Sequence, residues 1–204
     1  MFNDALRRND KTQINTLTKL YALFYSSFAE ISFLKVIHTP YGLSLDSIVQ
    51  IKNAGSLNQK WSKCLELVFL QIDNMTNKGD IANKKRKLSN LIENYIINPS
   101  QIRNKIAHGQ WVVALNKENS NTNPQTTQQI QALDFVQIDI LFLCYEKIAQ
   151  IIEDLIESPH KAHFNDFFLH LSELEQKIEE CKKWDIDTKR TLLLKKPISY
   201  LVND

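Results

Sequence analysis

Arg103, Asn104 and His108 fall within one short run, RNKIAHG, at residues 103–109. A guanidinium is a permanent planar cation that grips a phosphate through two parallel N–H donors. An imidazole takes and gives protons at physiological pH. A carboxamide beside them can orient either the imidazole or the phosphate. Together these groups can handle a phosphate without a metal: transfer at phosphorus needs one proton taken, one given, and the growing phosphate charge stabilised.

The local sequence predicts how the three are held. Asn98 followed by Pro99 reads as an N-cap and first helical residue, and Gly109 supplies the left-handed position that ends many helices. A short helix over residues 99–108 follows, with Ile102 and Ile106 on its buried stripe. At ~100° per residue, Asn104 and His108 lie ~40° apart and Arg103 lies ~100° from Asn104. The three groups fan across one sector of that helix. A single copy brings a single imidazole, which is thin for both the acid and the base role. A two-fold dimer joining two such helices would supply two His108 and two Arg103 around one composite cleft.

The elements around this run read as helical. The chain has 4 glycines and 5 prolines in 204 residues, and its apolar residues recur mostly at helical spacing, which predicts an all-α fold. A first long helix spans Lys11–Ile37, with Leu17, Leu20, Tyr21, Phe24, Phe28, Ile31 and Leu34 on one side, and His38-Thr39-Pro40 stops it. A second helix begins near Leu45, breaks at Gly55 and resumes with Trp61, Leu65, Val68 and Ile72. After the turn-like MTNKGD, another carries Leu88, Leu91, Ile92, Tyr95 and Ile96 up to the break at Asn98-Pro99. Past Gly109 the period changes. Residues 111–115 form a β-prone run, NKENSNTNPQ is a polar loop, and residues 128–133 place Ile130 and Ala132 on alternate positions. This predicts a short β-hairpin inserted after the motif helix. A long helix over residues 134–157 follows, with Phe135, Ile138, Phe142, Tyr145, Ile148, Ile152 and Leu155 facing one way. Ser158-Pro159 separates it from a last helix with Phe164, Phe167, Phe168, Leu171, Leu174 and Ile178. LLLKKPISYLVND is expected to dock as a tail. One domain over residues 1–204 is expected, its core at about residues 10–158 and its C-terminal helix and tail at 159–204.

Arg103, Asn104 and His108, followed by Gly109 in this helical setting, resemble the signature of the HEPN superfamily: an arginine, four to six residues, then a histidine, often with asparagine directly after the arginine. The motif covers only residues 103–109, and the helical layout extends the likeness over most of the chain. The resemblance implies an antiparallel helical bundle of HEPN type and a metal-independent endoribonuclease whose active site forms at a homodimer interface. It implies Arg103 as phosphate clamp, His108 as acid and base, and Asn104 as the orienting amide. It further implies a toxin or phage-defence effector, restrained by an inhibitory partner such as a nucleotidyltransferase-like antitoxin. The alternative it leaves open is a non-catalytic module that binds nucleotide or protein.

Other candidate residues are secondary to these. Lys84-Lys85-Arg86-Lys87 is the densest basic run and could track an RNA backbone beside the cleft, or simply form a solvated first turn. Lys105 is a further RNA contact by position, and Trp111 could stack a base or anchor a hairpin on the core. His160 and His163 could meet at i,i+3 spacing, but most metal-binding helices add a carboxylate or third ligand in register and His170 lies about two turns further on, so no metal is expected. Cys64, Cys144 and Cys181 are scattered and form no CxxC pair, which fits a reducing compartment better than a disulfide framework. No Walker loop, serine elbow, HExxH or aspartate-rich cluster occurs, and no cofactor is expected. Hydrophobic content of 43%, charged content of 24% and a net charge of +2 are ordinary for a soluble protein, so any RNA contact must come from local patches. The N-terminus lacks an apolar signal core, and no membrane segment is expected. The chain reads as cytoplasmic.

Overall fold

Short polar side chains open many of the helices by accepting the orphan N–H groups of the first turn. Asp10 accepts from the Gln13 N–H at 3.0 Å, Ser56 and Gln59 form a reciprocal capping box, and Asp134 accepts from Val136 at 2.6 Å. In the computed structural model, which describes residues 1–72 and 78–196, the helices are α1 (Phe2–Arg8), α2 (Lys11–Ile37), α3 (Leu45–Asn53), α4 (Leu57–Leu70), α5 (Lys78–Ile92), α6 (Asn98–Ala107), α7 (Pro124–Gln131), α8 (Phe135–Glu157), α9 (Pro159–Lys161), α10 (Phe167–Cys181) and α11 (Ile186–Leu194). The fold is all-α, and no strand occurs among the described residues. The end of the expected tail, residues 197–204, the first half of the MTNKGD turn, residues 75–77, and the side chains of His163 and Phe164 lie outside the described residues, and the second half of that turn opens α5.

The core is organised on α2 and α8. Tyr21 reaches Asp139, Phe28 meets Tyr145 at 5.3 Å between ring centroids, and Lys35 reaches Glu153 at 3.5 Å. Both residue numbers rise together, so α2 and α8 run side by side in the same direction. The antiparallel bundle expected from sequence is corrected at this pair. α10 does return antiparallel along α8, with Lys147 near Glu173 and Asp154 near His170. Trp61 of α4 fills the centre against Phe33 and Tyr145, and Phe167, Leu171 and Leu174 of α10 belong to the same core. Gly42 is needed where it stands, because a Cβ there would come within 2.0 Å of the Ile156 side chain.

The buried side of α2 is the reverse of the one expected. Ala22, Tyr25, Ser26, Ala29 and Phe33 face the core, while Leu20, Phe24, Ile31 and Leu34 are exposed; Leu17, Tyr21 and Phe28 are half-buried. This helix is apolar almost all round, so periodicity alone did not choose a face. The small residues Ala22, Ser26 and Ala29 let α6 and α8 approach closely, and that packing decides. By length and composition α2 is also apolar enough to cross a membrane.

Two more expectations change. Asn98 is not an N-cap: it is helical, at φ −58 and ψ −45. The chain runs from α5 through a π-turn, Glu93–Ile97, directly into α6, and the Asn98 N–H donates to the Glu93 carbonyl five residues back. Pro99 brings no N–H to the ladder. The Tyr25 hydroxyl donates to the Tyr95 carbonyl, four residues before Pro99, and so ties α2 to the root of α6. The β-hairpin is likewise absent. Leu115 and Thr122 form an isolated antiparallel bridge, and its expected second arm is instead α7. Asn123 caps that helix by accepting from Thr126, Pro124 fits its first turn, and Ile130 is its buried anchor.

Replacing the Tyr25 hydroxyl, Tyr25→Phe, is expected to cost about 1–3 kcal/mol by leaving the Tyr95 carbonyl without this donor. Urea denaturation measures it, and a cost under about 0.5 kcal/mol would mean that the carbonyl has another donor.

Candidate active site

The site is built on the C-terminal end of α6. His108 leaves the helix at φ −88 and ψ 19, and Gly109 turns left-handed at φ +80. The Gly109 N–H donates to the Ile106 carbonyl at 3.0 Å and the Gln110 N–H to the Lys105 carbonyl at 2.9 Å. These two bonds are the Schellman closure. Asn104, His108 and Gly109 are all exposed, and Ile106 is the buried anchor beneath them. The end of the motif helix therefore stands where the sequence placed it, although its beginning does not.

Arg103 is not free. Its Nη2 pairs with the Glu30 carboxylate of α2, and its Nε is buried with no hydrogen-bond partner among the described residues. Glu30 stands one turn before the exposed Leu34, with which it shares a surface, so the guanidinium sits at the Leu34 edge of the apolar stripe of α2. Sequence reasoning missed Glu30. It lies 73 residues away from Arg103 on another helix, and no local spacing signals the pair.

The expected RNA contacts are not equivalent. Lys84 is 2% exposed, pairs with Asp80 at 2.9 Å, and lies 4.8 Å from the Phe168 ring centre and 5.3 Å from that of Phe167. Its assignment to an RNA-facing strip is corrected. The i,i+4 carboxylate and the two rings draw its long stem inward. Lys85 is half-buried, Arg86 is exposed and hydrogen-bonded to Asn83 at 3.1 Å, and Lys87 approaches Glu175 at 3.9 Å. Lys105 is held by the Leu115 carbonyl at 2.7 Å. Trp111 donates from Nε1 to the Ile106 carbonyl at 3.0 Å and packs against the core, which makes it a brace under the motif helix.

Other chemistry is sparse. No group of three or more metal-ligating side chains occurs among the described residues. His160 is exposed, and His170 lies between Asp154 and Glu173 at 3.5 Å from each. All three cysteines are free thiols, and burial pushes those of Cys64 and Cys144 up to about 12, so neither offers a thiolate at neutral pH.

Lys84→Ala is expected to lower unfolding stability by about 1–3 kcal/mol, while Arg86→Ala stays within about 0.5 kcal/mol of the parent. Thermal and urea unfolding separate the two, and equal effects would contradict the buried role of Lys84.

Comparison of the chain with protein families, with curated proteins and with solved structures finds no match to it.

Proposed function

We propose that this chain is a metal-independent endoribonuclease of HEPN type that works as a homodimer, in the role of a toxin or phage-defence effector. One observation carries the reading: the RNKIAHG run closes α6, whose Arg103 is anchored on α2 beside an apolar stripe left largely exposed among the described residues. Leu20, Phe24, Ile31 and Leu34 occupy that stripe, with Ser27 between them, at steps of four and three residues along α2. Phe24 is 61% and Ile31 69% exposed. A second copy seated there buries both stripes and brings each Arg103 to the edge of the shared face. Two copies then supply the two imidazoles the chemistry needs.

In that cleft one His108 takes the proton of the ribose 2′-OH, whose oxygen attacks the adjacent phosphorus. The partner copy's imidazolium returns a proton to the departing 5′-oxygen. The Arg103 guanidinium binds the non-bridging phosphate oxygens as their charge grows, and Asn104 orients the imidazole. Glu30 holds the guanidinium in place until phosphate competes for it. An inhibitory partner, for which a nucleotidyltransferase-like protein is the proposal, restrains the activity.

The ion pair between Arg103 and Glu30 also favours a second reading, a module that binds nucleotide or protein without turnover, because a guanidinium already paired with a carboxylate is less available to a reacting phosphate. Incubation of the full chain with total RNA in excess EDTA separates the two. Cleavage by the parent is expected, reduced ~10²–10⁴-fold in His108→Ala and ~10²–10³-fold in Arg103→Ala. A folded parent that leaves RNA intact favours the binding module, and full activity in His108→Ala would sink the mechanism.

The dimer has its own measurement. Light scattering is expected to give twice the 23.7 kDa chain mass for the parent and a single chain for the Phe24→Glu/Ile31→Glu double variant, with cleavage lost in parallel. A monomeric parent with full activity would exclude the composite cleft.

A further inference from the structure

A second site lies under the motif rather than at it. Lys19, in the first half of α2, is 4% exposed. Its ammonium makes no hydrogen bond or ion pair among the described residues, and it faces the Trp111 ring at 5.9 Å from the ring centre. Burial holds it below the usual lysine range. An ammonium held against a ring, with no anion beside it and an open cavity in front of it, is free to meet an anion from solution.

Lys19 lines an open cavity of about 430 Å³, walled by the start of α2, residues 111–112, the end of α7 and the starts of α8 and α11. That volume falls in the range of ~300–1,000 Å³ typical of small-molecule sites. Trp111 gives it an aromatic wall, and Asn15 and Gln131 give it amide groups. Two carboxylates share the lining. Asp134 spends its oxygens on the N–H groups of Val136 and Ile186, at 2.6 and 3.0 Å, and Asp187 is exposed. Among the charged groups of the lining, which also include the exposed Lys11, Lys19 is the one whose side chain is buried and makes no hydrogen bond or ion pair among the described residues.

We propose that this cavity binds a small organic anion, a phosphate or carboxylate carrying a planar or apolar body. Lys19 is its counter-charge and Trp111 the surface for the body. The site is independent of catalysis by Arg103 and His108. Because Trp111 braces the Ile106 carbonyl, occupancy reaches the motif helix through one hydrogen bond.

The test uses the full chain and the indole N–H resonance of Trp111, assigned with Trp111→Phe. Phenyl phosphate at millimolar concentration is expected to shift that resonance, and binding should weaken at least about tenfold in Lys19→Met. Inorganic phosphate and benzoate identify which part of the probe matters. Lys19→Met keeps the apolar stem and is expected to unfold at close to the parent's temperature in the absence of anion, so that lost binding reports the ammonium and not the fold. No shift in the parent with any of the three anions would overturn the proposal, even if the variant failed to fold. So would unchanged binding in Lys19→Met. A single-stranded oligonucleotide that shifts the resonance when phenyl phosphate does not would assign the cavity to RNA and equally overturn it.

Discussion

The hydrogen bond from the Tyr25 hydroxyl to the Tyr95 carbonyl fixes where the motif stands. Pro99 denies the helix one donor at a point where α5 would otherwise run on unbroken. The π-turn over Glu93–Ile97 absorbs the disturbance, and a phenol from α2 supplies a donor at the exposed carbonyl. α6 then leaves that turn already attached to α2, so that Arg103 reaches Glu30 further along the same helix. The buried small residues Ala22, Ser26 and Ala29 make the approach possible. The reactive run therefore depends less on its own seven residues than on one face of a helix far before it.

That dependence explains what the sequence could and could not convey. Helix existence was legible, since caps and stops are local: α2 has the bounds its periodicity predicts, and Gly109 closes α6 through its left-handed backbone. The inward residues of α8, such as Ile138, Ile148 and Ile152, were legible because its other face is more polar. The buried face of α2 was not, because large apolar groups stand on both sides, and the small Ala22, Ser26 and Ala29 beside Tyr25 and Phe33 are what let neighbouring helices approach that one. The π-turn was hidden because Asn-Pro is also the ordinary start of a helix. The missing hairpin has the same root: alternating Ile130 and Ala132 outweighed the cap and proline at Asn123-Pro124, which marked α7 all along.

Charge tells a similar story. In the KKRK run the four cations share one sequence property and divide between surface and interior. Lys84 goes inward because Asp80 stands one turn before it and two phenylalanines lie opposite. Lys19 carries no mark of function in the sequence and yet stands at a cavity wall with no anion beside it among the described residues. Both are buried lysines, and the difference between them is whether a carboxylate came with them.

The parallel pairing of α2 with α8 bears on how this chain reaches its native state. Tyr21 and Asp139, partners across that pair, are separated by 118 residues. Closing so long a loop costs conformational entropy before any contact of the pair is gained, and such distant contacts slow folding even in helical proteins. The segment from α3 to α6 must therefore condense largely on its own, as a local helical unit. Until α8 is made and docked, the side of α2 that it covers stays open, apolar surface that a nascent chain must keep from wrong partners.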